Sequence, residues 1–319
     1  MEKNKIYEGN SLEILNKFPE ESIDCVVTSP PYYGLRDYGM AGQFGLEESP
    51  EEYIENLVRL FREIHRVLKN SGTIWVNLGD SYWAKNQKSS DTWKQWKNKN
   101  NTFTPRAGGK DHPIYKPKDL MGMPWRVALA LQADGWYLRS DIIWHKPNVI
   151  PESVTDRPTK SHEYIFLLSK SEKYFYDHEA IKEESIYREI DSIRGSDGAF
   201  GPEQSRIRES KGKGEFTGKH GSDAFRKIVE RKNKRDVWKV TTKPYKGAHF
   251  ATYPIDLIEP CILAGCPEDG IVLDPFMGSG TTGAAALMHR RNYIGIELNP
   301  DYIEIAEQRI NGTQVSLFG

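Results

Sequence analysis

Ile271-Val272-Leu273-Asp274-Pro275-Phe276-Met277-Gly278-Ser279-Gly280-Thr281-Thr282-Gly283 decides the fold. Its first four residues are an apolar run closed by an acid, the pattern of a short buried strand. A proline and closely spaced glycines then make a tight turn, and Ala284 to His289 reads as the helix that follows. Tyr293 to Glu297 is the next strand and Pro300 to Ile310 the next helix. Such a succession calls for parallel strands with covering helices. Gly278 to Gly283 also satisfies G-x-G-x-x-G, and it lies between a strand and a helix, as a nucleotide-binding turn must. Glu297 ends the next strand, where a carboxylate can accept from a ribose diol. These residues point to an adenosine-containing ligand, with a plain packing turn as the alternative. Asp274 helps to choose the ligand. An acid here would repel a pyrophosphate and suit an ammonium group, so S-adenosylmethionine fits better than a dinucleotide. Its carboxylate would use the helix N-terminus at Thr281-Thr282.

A second stretch, Thr28-Ser29-Pro30-Pro31-Tyr32, follows the apolar run Ile23-Asp24-Cys25-Val26-Val27. Two prolines cannot continue a sheet, because each lacks an N–H and fixes φ. The strand must end at Ser29 in a rigid turn. That turn is either a simple proline corner or a grip for a flat molecule bearing an amine. In the second reading Ser29 and the Pro30 carbonyl accept from the amine, and Tyr32 stacks on the ring.

Between these stretches the chain alternates helix and strand. Lys5 to Asn10 reads as a strand, with Ser11 capping a helix Leu12 to Lys17. Tyr33 to Gly45 is a glycine-containing loop. Ser49-Pro50-Glu51-Glu52 starts a helix whose apolar residues recur up to Leu68. Thr73 to Leu78, Tyr137 to His145 and Glu163 to Ser169 read as strands, Pro124 to Gly135 and Tyr253 to Ala264 as helices. The spacing divides the chain into a catalytic half at 1–170, a smaller region at 171–246, and a cofactor half at 247–319 that belongs to the same domain as the first.

The net charge of −1 hides an asymmetry. Ser205 to Lys246 carries fourteen Lys and Arg against five Asp and Glu, and Ala84 to Lys118 carries nine against two. Two such tracts allow a near-neutral chain to bind a polyanion, although a basic tract taken singly is usually a solvated loop. No apolar run approaches the roughly 20 residues of a membrane span. Met1 to Lys5 opens directly into Ile6-Tyr7-Glu8, so no secretory leader and a cytoplasmic, nucleoid-associated location are expected. Cys25, Cys261 and Cys266 have no metal-ligand spacing, so reduced core thiols and no metal are expected.

Ser29-Pro-Pro-Tyr32 together with Asp274-Pro-Phe-Met-Gly-Ser-Gly-Thr-Thr282 resembles the amino-methyltransferases of DNA, over nearly the whole chain. The order, with the base-gripping motif first, a basic segment between and the cofactor loop last, is similar to the beta class. Trp144-His-Lys-Pro-Asn148 and Arg157 to Leu168 are similar to the segment beside the flipped-base pocket in that family. The resemblance implies a Rossmann-like α/β fold: a mostly parallel, circularly permuted sheet with helices on both faces and a small target-recognition region. It implies that Lys5 to Asn10 pairs with the last strands. It implies S-adenosylmethionine as cofactor, held by Asp274, Phe276, Gly278, Ser279, Gly280, Thr281, Thr282 and Glu297. Asn10 falls where relatives contact adenine, and Phe250 falls in the cofactor-covering segment; an ordinary strand end and plain core are the alternatives. Ser29, Pro30, Pro31 and Tyr32 would be the catalytic set. Lys146, Arg206, Arg208, Arg226, Arg231 and Arg235 would contact double-stranded DNA. A cognate restriction endonuclease is an implied partner.

In the family a serine before Pro-Pro-Tyr goes mostly with N4 of cytosine and an aspartate mostly with N6 of adenine. The expected reaction is therefore transfer of methyl to N4 of a flipped cytosine, with N6-adenine as the alternative. C5 methylation would need a Cys nucleophile in the loop, and Cys261 lies instead in a helix. Asp80 is either a neighbour of the amine or a loop-capping acid. A nicotinamide-dependent oxidoreductase would leave Ser29 to Tyr32 unexplained, and a non-catalytic DNA-binding module would have no use for the glycine turn.

Overall fold

The apolar runs pair as strands in the computed structural model, which describes residues 1–84, 112–184, 231–243 and 252–318. Five strands are mutually parallel: β1 (Lys5–Glu8), β10 (Asn292–Glu297), β9 (Ile271–Asp274), β2 (Ile23–Thr28) and β3 (Leu68–Leu78). The sheet continues antiparallel through β5 (His162–Ser169) to β4 (Tyr137–His145), and β8 (Val237–Lys239) lies parallel beside β4. The order across the sheet is β1-β10-β9-β2-β3-β5-β4-β8. Lys5 stands opposite Ile294 and Glu8 opposite Glu297, so the first strand of the chain joins the last one, as the permuted motif order requires.

Side-chain alternation along the strands divides the core between two faces. Val26, Ile74 and Val76 face the cluster built by α2 (Pro50–Val67), whose Tyr53, Leu57, Leu60, Phe61, Ile64 and Val67 are buried. Helix α2 starts where Ser49 predicts it, with Ser49 Oγ accepting from the Glu52 N–H at 3.1 Å. Helices α1 (Ser11–Leu15) and α3 (Met123–Ala133) pack against α2. On the other face, α4 (Ile255–Gly265) brings Gly265 against Cys25, Thr73 and Trp75; a Cβ there would lie 2.5 Å from Thr73 and Trp75. Helix α5 (Thr281–Met288) packs between α4 and α6 (Pro300–Phe318).

Several local expectations shift. The cap of α1 is Asn10 rather than Ser11: Asn10 Oδ1 accepts from the Leu12 N–H at 2.9 Å. Ser11 instead donates to the Pro275 carbonyl at 2.5 Å, tying the start of α1 to the glycine turn. β3 begins at Leu68 because the chain turns straight from α2 into the sheet, with Leu68 opposite Ile23. The three cysteines are free and buried, and burial pushes the Cys25 and Cys266 thiols up.

The chain divides into two units, Met1–Asp177 with Asp236–Gly319, and His178–Arg235. The second contains the short antiparallel pair β6 (Glu183–Glu184) and β7 (Arg231–Lys232). Among the described residues no helix is long and apolar enough to cross a membrane.

Candidate active site

β2 and β9 are neighbours, but the chain leaves β2 towards β3 and leaves β9 towards β10. The connections therefore diverge at the C-terminal ends of this pair, where doubly wound sheets open a crevice. A cavity of about 720 Å³ lies there. Its wall includes Ser29, Pro30, Pro31 and Tyr32 after β2, Phe276 to Ser279 and Thr281 after β9, and Glu297 at the end of β10. Asn10, Asn77, Lys146 and Glu163 complete it. Two sequence motifs nearly 250 residues apart thus line one chamber, because adjacent strands deliver both.

The glycine turn owes its shape to backbone needs. Gly278 (φ 52°) and Gly280 (φ 78°) are left-handed, a region that disfavours side chains. The Gly278 N–H donates to Glu297 Oε2 at 2.8 Å, and the Asn299 N–H donates to Oε1 at 2.9 Å. Burial raises the Glu297 pKa, while these amides pull it down. Phe276 is half-buried on the wall, its ring meeting Phe44 edge-on at 5.4 Å. Ser279 and Thr281 hydroxyls accept from Arg309 of α6 at 3.0 and 2.6 Å. A carboxylate, backbone at a glycine, an aromatic face and the Asn10 amide suit the ribose and base of an adenosine.

Three expected contacts take other roles. Asp274 does not face the cavity. It is fully buried, and Thr28 Oγ1 (2.8 Å), Thr282 Oγ1 (2.6 Å), Tyr253 OH (2.9 Å) and the Phe276 N–H (3.0 Å) all donate to it. Burial raises its pKa against the pull of these donors. It ties β2, β9, α5 and the segment before α4 together behind the chamber. Thr282, also fully buried, serves Asp274. Gly280 is glycine for packing: a Cβ would lie 2.9 Å from the Ala306 backbone of α6.

The proline turn is held from beneath. Tyr53 OH donates to the Pro31 carbonyl at 2.9 Å, whereas the Pro30 carbonyl has no donor among the described residues. Tyr32 is not a free stacking plate. Its ring edge presses on Gly79, where a Cβ would lie 2.5 Å away, and its hydroxyl donates to Glu163 Oε2 at 2.8 Å. Burial, and the Glu163 carboxylate beside it, hold the Tyr32 phenol well above its ordinary pKa. Asn77 Nδ2 donates to the Tyr164 carbonyl at 3.0 Å and to Glu163 Oε2 at 3.3 Å. Lys146, expected on DNA, pairs with Glu163 Oε1 inside the chamber and lies 4.1 Å from the Trp144 ring centroid.

Asp80 is the loop-capping acid: its carboxylate accepts from the N–H groups of Gly122 and Met123 at the start of α3, both at 3.0 Å. Arg235 pairs with Glu183 at 2.6 Å, and Arg231 donates to the Lys182 carbonyl at 3.3 Å. Arg206, Arg208, Arg226 and Phe250 lie outside the described residues. Sequence reasoning missed Asn77, Glu163 and Tyr253. Asn77 had a signal, since a polar residue inside a buried strand needs a partner. No group of three His, Cys, Asp or Glu among the described residues is placed to hold a metal ion.

A DNA methylase family model matches residues 23–308. The type II methyltransferase M.Cfr9I of Citrobacter freundii is 46% identical over 315 residues, which covers 98% of this chain and 89% of that protein. Among solved structures, the PvuII DNA methyltransferase, described as cytosine-N4-specific, superposes with a TM-score of 0.61 at 20% identity, covering 97% of this chain and 86% of that one. The M1.HpyAVI–SAM complex superposes with a TM-score of 0.53 at 18% identity, covering 96% and 98%. With both motifs on one chamber, a permuted sheet and a match over most of its length, the chain belongs to the DNA methylase family.

Proposed function

We propose that this protein methylates N4 of cytosine within a specific double-stranded DNA sequence, using S-adenosylmethionine. The observation that carries this reading is the single chamber shared by Ser29 to Tyr32 and by Phe276 to Ser279 with Glu297. An amine held by the first set faces a cofactor held by the second. The cytosine assignment rests on Ser29 before Pro-Pro-Tyr; N6 of adenine is the alternative.

The target base must leave the duplex to enter, because its amine is unreachable inside the stack. An electrophilic methyl on sulfonium is the chemistry S-adenosylmethionine supplies when bound. Phe276, Glu297, Asn10 and the Gly278 backbone hold the adenosine end. Ser29 Oγ and the Pro30 carbonyl accept from the two amine hydrogens, drawing the nitrogen lone pair out of conjugation with the ring. The Ser29 and Pro30 oxygens also place partial negative charge near the nitrogen as it becomes cationic. Rate comes from positioning and from this electrostatic setting. The basic segments would carry phosphate contacts and sequence readout, and a cognate endonuclease would cleave the same site when unmodified.

The test is expression in a methylation-free host, followed by nucleoside mass spectrometry and sequencing for modified bases. N4-methylcytosine at one recurring sequence is the expected result. N6-methyladenine alone would move the reading to its alternative, and no modified base would refute it. Ser29→Ala is expected to lower the single-turnover rate by about 10²-fold or more, with S-adenosylmethionine affinity little changed.

A further inference from the structure

Five polar side chains lie in one chain of contacts at the floor of the chamber: Lys146, Glu163, Tyr32, Asn77 and Ser29. Counting their protons leaves one arrangement. The Asn77 amide nitrogen faces two acceptors, the Tyr164 carbonyl and Glu163 Oε2, at 3.0 and 3.3 Å. Its carbonyl oxygen must therefore point the other way, towards Tyr32 OH at 3.1 Å and Ser29 Oγ at 3.4 Å. Tyr32 has one hydroxyl proton and two candidate acceptors. Glu163 Oε2 is closer, at 2.8 Å, and is a carboxylate, so it takes that proton. Lys146 pairs with the other carboxylate oxygen and holds Glu163 in place. Asn77 Oδ1 and the Tyr32 oxygen, 3.5 Å from Ser29 Oγ, are then both free to accept the Ser29 proton.

We infer that Glu163 is a positioning residue that turns the Ser29 hydroxyl proton away from the chamber, so that Ser29 reads an amine and rejects a carbonyl oxygen at the same place on the base. The inference rests on the function proposed above and deepens it. The effect runs through Tyr32 and Asn77, since Glu163 itself contacts both and Ser29 contacts them in turn. With glutamine at position 163, the side-chain amide can donate to the Tyr32 oxygen. The Tyr32 proton then swings to Asn77 Oδ1, 3.1 Å away, and competes there with Ser29, while the glutamine amide competes for the Tyr32 oxygen. Held less firmly inward, the Ser29 proton can turn towards the chamber and hydrogen-bond a carbonyl.

The test uses equilibrium binding rather than turnover. Duplexes carrying the modified site, and the same duplexes with uracil at the target position, are titrated against full-length protein saturated with S-adenosylhomocysteine. Uracil replaces the exocyclic amine by a carbonyl and also turns N3 from an acceptor into a donor and weakens pairing; the Ser29→Ala ratio on the same two duplexes carries those contributions and is the baseline. Wild type is expected to prefer the cytosine duplex by about tenfold or more, the scale of an unpaired acceptor in a closed site. Glu163→Gln is expected to bring that preference down to within about twofold of the Ser29→Ala value, while S-adenosylhomocysteine affinity stays within about twofold of wild type. A merely structural loss would weaken both duplexes alike and leave the ratio unmoved. If Glu163→Gln fails to fold, Asn77→Leu, close in size, removes one of the two inward acceptors of Ser29 and is expected to lower the same ratio part of the way to the Ser29→Ala value. Retention of the wild-type preference in the folded variant, or its absence in wild type, overturns the inference. The product separates this failure from failure of the reading beneath it. If wild type makes N6-methyladenine, the pair becomes adenine and hypoxanthine. If it methylates no DNA, both claims fall.

Discussion

Asp274 shows how far a residue's local chemistry can mislead. An acid at the end of a strand beside a glycine turn reads as a contact for a cationic ligand. In the folded chain its two oxygens are consumed by Thr28, Thr282, Tyr253 and the Phe276 amide, none of which is near it in sequence except Phe276 and Thr282. The residue joins the two halves of the chamber wall. Thr28→Val removes one donor from a fully buried carboxylate and is expected to cost about 1–3 kcal/mol in urea unfolding. Because both motifs hang on this joint, the variant should also lose affinity for S-adenosylmethionine, which calorimetry would register. Tyr253→Phe tests the same joint from the other side. It removes a donor that Asp274 shares with Thr282, whose hydroxyl lies 2.5 Å from the phenol oxygen.

At the scale of the element, helix starts carry most of the checkable energetics. Ser49→Ala removes an exposed cap from α2 and is expected to cost about 1 kcal/mol. Gly280→Ala at the start of α5 should cost more, roughly 2–4 kcal/mol, because it combines a left-handed backbone with a clash against the backbone of α6. Thermal unfolding of the two variants side by side would check that order. Two histidines at element ends add a pH dependence. His65 in the last turn of α2 and His162 at the start of β5 both have pKa values lowered from 6.5, chiefly by burial. The unfolded chain takes up these protons as pH falls through 6.5, and the folded chain only at lower pH. Stability is therefore full above that value and declines as pH drops below it. His65→Phe, which keeps the edge contact with Trp136, should flatten the decline in urea midpoints measured from about pH 7.5 to about 5.5.

At the scale of the whole molecule, the permuted connectivity explains why the motifs are so far apart in the chain. β1 pairs with β10, so the sheet closes its parallel half with the first strand of the sequence, and Asn10 arrives at the chamber from the opposite end of the chain. β8 extends the sheet past β4, which places Val237–Lys239 with the catalytic sheet although the basic composition around it reads as part of the region 171–246. The uneven charge along the chain predicts a steep salt dependence. Affinity for DNA is expected to fall by about 10³-fold or more between roughly 50 and 200 mM salt, if six or more phosphates are neutralised. Fluorescence anisotropy across that range gives the slope, and a flat slope would contradict the use of these tracts on the backbone.

The parallel half of the sheet, the capped start of α2, the glycine turn and the proline turn were all legible in the residues. Each depends on local rules: apolar runs of strand length, Ser-Pro-Glu-Glu at a helix start, and prolines that cannot stay in a ladder. The likeness to DNA amino-methyltransferases was legible too, because two motifs and their order survive as text. The partners of buried polar groups were not. Asp274 facing inward, Lys146 turned from DNA to Glu163, and Tyr32 anchored by its hydroxyl follow from which strands lie side by side, and hydrogen bonds such as Thr28 to Asp274, Tyr32 to Glu163 and Lys146 to Glu163 leave no periodicity to read. Sequence by itself determined the kind of fold and the two walls of the site. Only the tertiary structure decided which polar groups face the substrate, because a buried donor or acceptor is assigned by whatever neighbour the packing supplies.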